Sequence, residues 1–463
     1  MNNANGLAAQ IKNKIIQDSL DRRQRQADRE AKNVRASVLQ SLVGHTGKSN
    51  ASANAGVHEN TISPAFYRFE DHPGYEKIRI MNDMAAKQGV ANPYFKAHQG
   101  VAGALSIIGN KSYINFSSYN YLGFSGDAEI SQAAKNAIDQ YGTSVSASRV
   151  VSGERTIHRE LERAIADTYA VDDAIVFVSG HATNVSTIGY LFTGRDLIVH
   201  DAFIHNSALQ GIQLSGATRI PFQHNDWQAL DQILCEQRAK FERVLIIIEG
   251  IYSMDGDYPD LPQFVALKKK HLCFLMVDEA HSFGVMGVTG MGIREHFNLP
   301  GDAVDIWMGT LSKSLASCGG YIAGKTALIE NLKFLSPGFL YSVGISPPLA
   351  AASLAALQKL KREPNRVAAL RERGQQFLSE ARLAGIDTGV SSGHAVVPAI
   401  YGSSLKAAKI SAMLFHRGIN AQPILYPAVP EKSARLRFFI SCEHTPAQIT
   451  ETIAALADAA LLT

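Results

Sequence analysis

Residues 273–282 read CFLMVDEAHS. Five apolar positions run without interruption into an acid. A run this short, with no charge inside it, suits a strand buried on both faces, and the acid that closes it emerges at the sheet edge. Four further stretches repeat the design: AIVFVSG (174–180), RDLIVHDAF (195–203), RVLIIIEGIYS (243–253) and DIWMGTLSKS (305–314). Amphipathic helical stretches lie between them. Strands alternating with helices predict an α/β fold with a mainly parallel central sheet flanked by helices. In such sheets ligands bind outside the carboxyl ends of the strands. Those ends carry Ser179-Gly180-His181, Asp201, Glu249-Gly250, Asp278 to His281 and Ser312-Lys313, so five polar strand ends predict one shared site.

The 463 residues divide around this region. Residues 1–60 read as a polar helical extension followed by a Gly/Ser/Asn/Ala-rich linker, either a solvated helix or a docking helix for a partner. Residues 61–125 form an N-terminal segment, 126–355 the large domain and 356–463 a smaller α+β C-terminal domain. Within the last part, 355–385 (AALQKLKREPNRVAALRERGQQFLSEARLAG) reads as one long helix, followed by strands in HAVVPAIYG and RLRFFIS. Gly47-Lys48-Ser49 follows Gly44 by too few residues to make a phosphate loop. With 46% hydrophobic residues a large core is available, and a net charge of +3 gives no electrostatic case for nucleic acid or an anionic membrane. No apolar run reaches the roughly 18 to 20 residues of a membrane span. The four cysteines are scattered, with no C-x-x-C pair, so neither a disulfide framework nor a metal site is expected, and a reducing cytoplasm fits.

Lys313 follows an apolar strand, where partial desolvation lowers an amine's pKa and makes it nucleophilic. Asp278 needs a cationic partner at its low-dielectric strand end. Pyridoxal phosphate (PLP) meets both demands, because its protonated ring nitrogen pairs with an acid while its aldehyde forms a Schiff base with lysine. His205 directly follows a strand and offers a flat ring to stack on a flat cofactor. His281 lies three residues past Asp278 and faces the same pocket mouth. Ser179-Gly180-His181 occupies a strand-to-helix turn whose N–H groups can receive phosphate.

Beyond these readings, residues 90–463 resemble the α-oxoamine synthases, a branch of the fold-type I PLP-dependent transferases. The resemblance rests on NFSSYNYLGFSGD, SASRVVSGERTIHRELE, FVSGHATN, DAFIHNS, EGIYSMDGD, VDEAHSFGVMGVTGMG, GTLSKSLASCGGYIAG, YSVGISPP and ARLRFFISCEHT, in family order. It implies Lys313 as the Schiff-base lysine, Asp278 as partner of the ring nitrogen and His205 as the stacked histidine. His281 and Ser253 match groups that bond the ring's phenolic oxygen. Ser179, Gly180, His181, Thr310 and Ser312 match a phosphate cradle. Ser342 and Gly344 match positions that reach the phosphate from a neighbouring subunit, which implies a homodimer with shared active sites. Arg437 matches the arginine that binds the amino-acid carboxylate, and Asn120 a substrate-binding position.

The implied reaction joins an acyl thioester, carried by CoA or by a carrier protein, to the α-carbon of an amino acid with loss of carbon dioxide. Tyr119 to Gly123 (YNYLG) departs from the Asn-Asp spelling of some members. It resembles serine palmitoyltransferases and secondary-metabolite enzymes, which this reading favours. The alternatives are 8-amino-7-oxononanoate synthase of biotin synthesis and a glycine C-acetyltransferase-like lyase. A racemase, a non-catalytic partner subunit and a PLP-dependent transcription regulator stand behind these. The presence of Lys313 argues against the partner subunit, and the lack of a helix-turn-helix against the regulator.

Overall fold

The structure, a computed structural model, describes residues 62–87 and 92–463; the expected extension and linker at 1–60 lie outside the described residues. By internal contacts the chain divides into Met1–Lys77 and Ile78–Thr463. The described part of the first unit holds the short turns Pro64–Phe66 and Phe69–Asp71 and the start of the helix Pro73–Lys87.

In the second unit, strands β1 (His98–Gln99), β2 (Leu105–Ile108) and β3 (Lys111–Asn115) pair antiparallel in succession. The central sheet follows: β4 (Asp173–Phe177), β5 (Leu197–Asp201), β6 (Thr218–Phe222), β7 (Val244–Glu249), β8 (Phe274–Asp278), β9 (Ile306–Thr310) and β10 (Gly320–Gly324). Its order is β4-β10-β9-β8-β7-β5-β6. All contacts from β9 through β6 are parallel, and β10 runs antiparallel to both β4 and β9. The predicted mainly parallel sheet is therefore present. All six residues of β7 are buried. Each fully buried Val, Leu or Ile contributes about 1.5 to 3 kcal/mol, so the Val244 to Ile248 run anchors the sheet centre. One apolar layer on each face, with Val199, Ile246, Val277 and Trp307 on one side and Ile198, Ile247, Met276 and Met308 on the other, completes the core.

The small C-terminal sheet consists of β11 (Val396–Ile400), β13 (Gln422–Ile424) and β14 (Arg435–Phe439), antiparallel in the order β11-β14-β13. Strand β12 (Ile419–Asn420) instead pairs parallel with β3, Ile419 opposite Ile114. The N-terminal segment thus shares a sheet with the C-terminal part. The long helix expected over 355–385 is two helices, Pro347–Arg362 and Asn365–Leu383. Pro364 causes the break: it has no N–H, and it disfavours the helical region for the preceding residue. Glu363 accordingly sits at φ −120°, ψ 57°.

Candidate active site

Because β4, β7, β8 and β9 point the same way, the residues after them meet at one edge of the sheet. A cavity of about 390 Å3 lies there. Eleven of the fourteen residues singled out in the sequence line it: Ser179, Gly180, His181, His205, Ser253, Asp278, His281, Thr310, Ser312, Lys313 and Arg437. Asn120 does not. It is buried, with its side-chain oxygen accepting from Ser125 N at 3.1 Å. Ser342 and Gly344 line a separate small pocket with Arg149 and Phe339.

Lys313 enters the cavity from the turn after β9. Its side chain keeps some solvent contact through the cavity, but protein surrounds it, and that burial brings its pKa down to about 8; the charges of Asp278 and Glu249 act in the opposite direction. Asp278 closes β8 and is buried. Its Oδ1 accepts from Ala280 N at 2.9 Å and its Oδ2 from Asn184 Nδ2 at 2.9 Å. Asn184 also donates to Ser207 Oγ at 2.9 Å, and Ser207 Oγ lies 2.8 Å from His205 Nδ1. A short chain of polar groups therefore links the acid to the histidine.

This chain fixes the histidine's tautomer. The backbone N–H of Ser207 points at His205 Nδ1 from 3.2 Å, and an N–H can only donate. Nδ1 is thus the acceptor, and the neutral ring carries its hydrogen on Nε2. Burial lowers the pKa of His205, with Lys313 adding to the effect and Asp278 opposing it, so the neutral form is the relevant one.

On the other side of Asp278, Glu249 ends β7 directly opposite it in register. Parallel neighbours in register share a face, which brings two carboxyls together. Burial first, and the Asp278 charge second, push the pKa of Glu249 well up, and its Oε1 accepts from His205 N at 2.5 Å. His281 is buried, with Nδ1 2.8 Å from Tyr121 Oη. Burial, then Lys313 and Arg437, hold His281 well below its ordinary pKa.

Arg437 projects from β14. Its Nη1 donates to Ser253 O at 3.0 Å and its guanidinium lies 4.5 Å from the centre of the Phe439 ring. Its Nε is buried without a protein partner. Tyr119 packs edge-on against Phe439 at 4.6 Å, and Lys313 Nζ lies 5.3 Å from the centre of the Tyr119 ring.

These residues fit PLP. Gly180 opens the helix Gly180–Leu191, whose cap Ser179 accepts from Ala182 N at 3.0 Å. A Cβ on Gly180 would come within 2.9 Å of Thr310 Oγ1, so only glycine keeps this helix end open beside the Thr310 hydroxyl, where backbone N–H groups could receive a phosphate. Gly320 is equally constrained, since a Cβ there would lie 2.7 Å from Gly180 Cα. Lys313 would offer the amine, Asp278 the acid for the ring nitrogen, and the unpartnered Arg437 Nε a donor for a carboxylate.

Tyr119, Asn184, Ser207, Met254 and Met308 also line the cavity and were not expected there, whereas Glu249 was expected at the shared site as a polar strand end. One signal was available for Asn184, which lies one helical turn beyond Gly180.

Residues 111–456 match the family described as aminotransferase class I and II. The 8-amino-7-oxononanoate synthase of Fervidobacterium nodosum is 42% identical over 346 residues, covering 74% of this chain and 87% of the relative. That of Symbiobacterium thermophilum is 39% identical over 352 residues, covering 76% and 89%. Among solved structures, a serine palmitoyltransferase with PLP shares 28% identity at a TM-score of 0.80, covering 84% of this chain and 98% of that one. The Sphingomonas wittichii serine palmitoyltransferase gives 27% and 0.80 over the same shares.

Proposed function

The chain belongs to the aminotransferase class I and II family, as a PLP-dependent acyltransferase of the α-oxoamine synthase kind, and from that premise we propose how its residues divide the work and what they act on. The observation that carries the reading is the convergence of Lys313, Asp278 and Arg437 on one cavity.

PLP, when bound, supplies an electron sink for the negative charge left at Cα. Asp278 would keep the ring nitrogen protonated. Lys313 would hold the cofactor's aldehyde end, and its neutral amine would take the proton from the substrate Cα. The lowered pKa of Lys313 keeps a useful fraction of that amine unprotonated near neutral pH. Arg437 grips the amino-acid carboxylate, and its buried guanidinium fixes which Cα bond faces Lys313. His205 would cover the ring and, with hydrogen on Nε2, donate to the thioester carbonyl as charge develops there. His281 and Ser253 would bond the phenolic oxygen, and Ser179, Gly180, His181, Thr310 and Ser312 would hold the phosphate. The new bond would join Cα to the acyl carbon as the carbon–sulfur bond breaks and the thiolate leaves to take a proton from solvent; the β-keto acid would then lose carbon dioxide, and Cα would regain its proton from Lys313 to give an α-aminoketone.

For the substrate, two readings have support. Tyr119, which stands over Lys313 and belongs to the YNYLG stretch, favours the serine palmitoyltransferase-like or secondary-metabolite type with a small amino acid. The relatives at 42% and 39% identity carry the 8-amino-7-oxononanoate synthase name, and they favour that alternative. The reaction would run in the cytoplasm. Ser342 and Gly344, lying outside this chain's own cavity, would complete the site of a second copy in a homodimer.

The test is a matrix of glycine, alanine and serine against acetyl, pimeloyl and palmitoyl thioesters of CoA and of a carrier protein. Product mass is the readout. One productive pair, abolished by Lys313→Ala, supports the reading; turnover that survives Lys313→Ala overturns it.

A further inference from the structure

Two carboxylates outside the cavity point at a single imidazole. Asp201 ends β5 and Asp257 lies in the loop after β7; both are buried. His224 Nδ1 stands 2.8 Å from Asp201 Oδ1, and its Nε2 stands 2.8 Å from Asp257 Oδ2. With an acid at each nitrogen, both carry hydrogen and the ring is a cation. Burial works against that charge, but the bonds to Asp201 and Asp257 override it and raise the pKa to about 10. Asn225 repeats the pattern: its N donates to Asp201 Oδ2 and its Nδ2 to Asp257 Oδ2, each at 2.8 Å. Phe203 stacks on the imidazole with ring centres 4.4 Å apart, and Tyr252 meets it edge-on at 4.5 Å.

Neither the acids nor the imidazole touches the cavity, but the segments they join do. Asp201 Oδ1 accepts from Phe203 N at 2.8 Å, which sets the turn that delivers His205. Asp257 O accepts from Tyr252 N at 2.9 Å, which closes the loop carrying Ser253 and Met254. That loop is in turn tied to β14, by Arg435 to Asp255 at 2.6 Å and by Arg437 to Ser253 O. A lysine in place of His224 would reach one acid, whereas a flat two-ended cation bridges both and stacks on Phe203.

We infer that His224 is a positioning residue, a clamp between the turn bearing His205 and the loop bearing Ser253 and Met254 that keeps His205 and Arg437 at a fixed separation across the cavity. This rests on the proposed function for what the two ends hold, while the clamp itself rests on the geometry.

The experiment compares wild-type holoenzyme with His224→Phe, which keeps the stack and loses both bonds, and with the near-isosteric Asp257→Asn, which removes one charge. Five quantities are read: PLP absorbance, visible circular dichroism of bound PLP, melting temperature, and kcat and KM for the amino acid. The expected result is retained PLP absorbance, because Lys313 lies on a different turn, with an altered dichroic band and kcat/KM lower by roughly 10- to 100-fold. Imidazole added to His224→Gly should recover part of that loss. A lower melting temperature with wild-type dichroism and kinetics would show an ordinary stability role and overturn the proposal. If His224→Phe does not accumulate, Asp257→Asn decides by the same readouts. Absence of acyl transfer by the wild type would instead defeat the functional reading, and the dichroic band of the variants would then decide the clamp alone.

Discussion

At the scale of single residues, Lys313 has a consequence that needs no substrate. Its pKa is lowered to about 8 from 10.5 because the folded protein buries its ammonium. Between those values the unfolded chain binds more protons than the folded one, so stability rises with pH across that window. Below it the penalty is fully present; above it both states carry the neutral amine. Lys313→Met should therefore stabilise the cofactor-free protein at pH 7 by roughly 2 to 3 kcal/mol, allowing for the solvent the cavity admits. That advantage should fade as pH rises from about 8 toward 10.5, as urea melts across the range would read. Arg437→Lys tests a different property. It preserves charge but loses the bidentate fork and the planar contact with Phe439, so KM for the amino acid should rise by about 10- to 100-fold while PLP absorbance is retained. Lys313 and Asp278 were legible in the sequence because each follows an apolar run whose end must face a polar site. Ser207 and Tyr119 were not, because a serine two residues past a histidine and an aromatic in a loop acquire roles only through tertiary contacts.

At the scale of elements, the proposed phosphate cradle depends on the close approach of the Gly180 backbone to the Thr310 side chain. Gly180→Ala would place a methyl 2.9 Å from Thr310 Oγ1 and 3.2 Å from its Cβ, so PLP affinity should fall by about tenfold or more in an equilibrium titration. The five polar strand ends announced the edge of the sheet in advance, and four of them line the cavity. The fifth, Asp201, works one step back through His224. Strand β6 escaped the sequence reading for a physical reason. It is an edge strand with mostly exposed residues and a proline at 221, a combination that an edge tolerates and that shows no alternation. Pro364 is the opposite case. The breaker was visible, but amphipathic periodicity on both sides suggested one continuous helix.

For the whole molecule, the position of Ser342 and Gly344 bears on assembly. They belong to a segment whose flanking Tyr341 and Val343 are exposed in the single chain, and apolar groups of that kind favour burial against another copy. Sedimentation of the holoenzyme should give twice the chain mass, and dilution to monomer should weaken PLP binding; a monomer with undiminished affinity would contradict shared sites.

The antiparallel entry of β10 has a practical consequence. Gly320 enters the sheet from the direction opposite to both neighbouring strands and sits against the Thr183 hydroxyl and the backbone of Gly180 with no room for a methyl. Position 320, directly behind Gly180, is therefore closed to a protein engineer. A redesign toward a bulkier amino acid or a longer acyl group has more to gain at Tyr119 and Met254, which line the cavity itself.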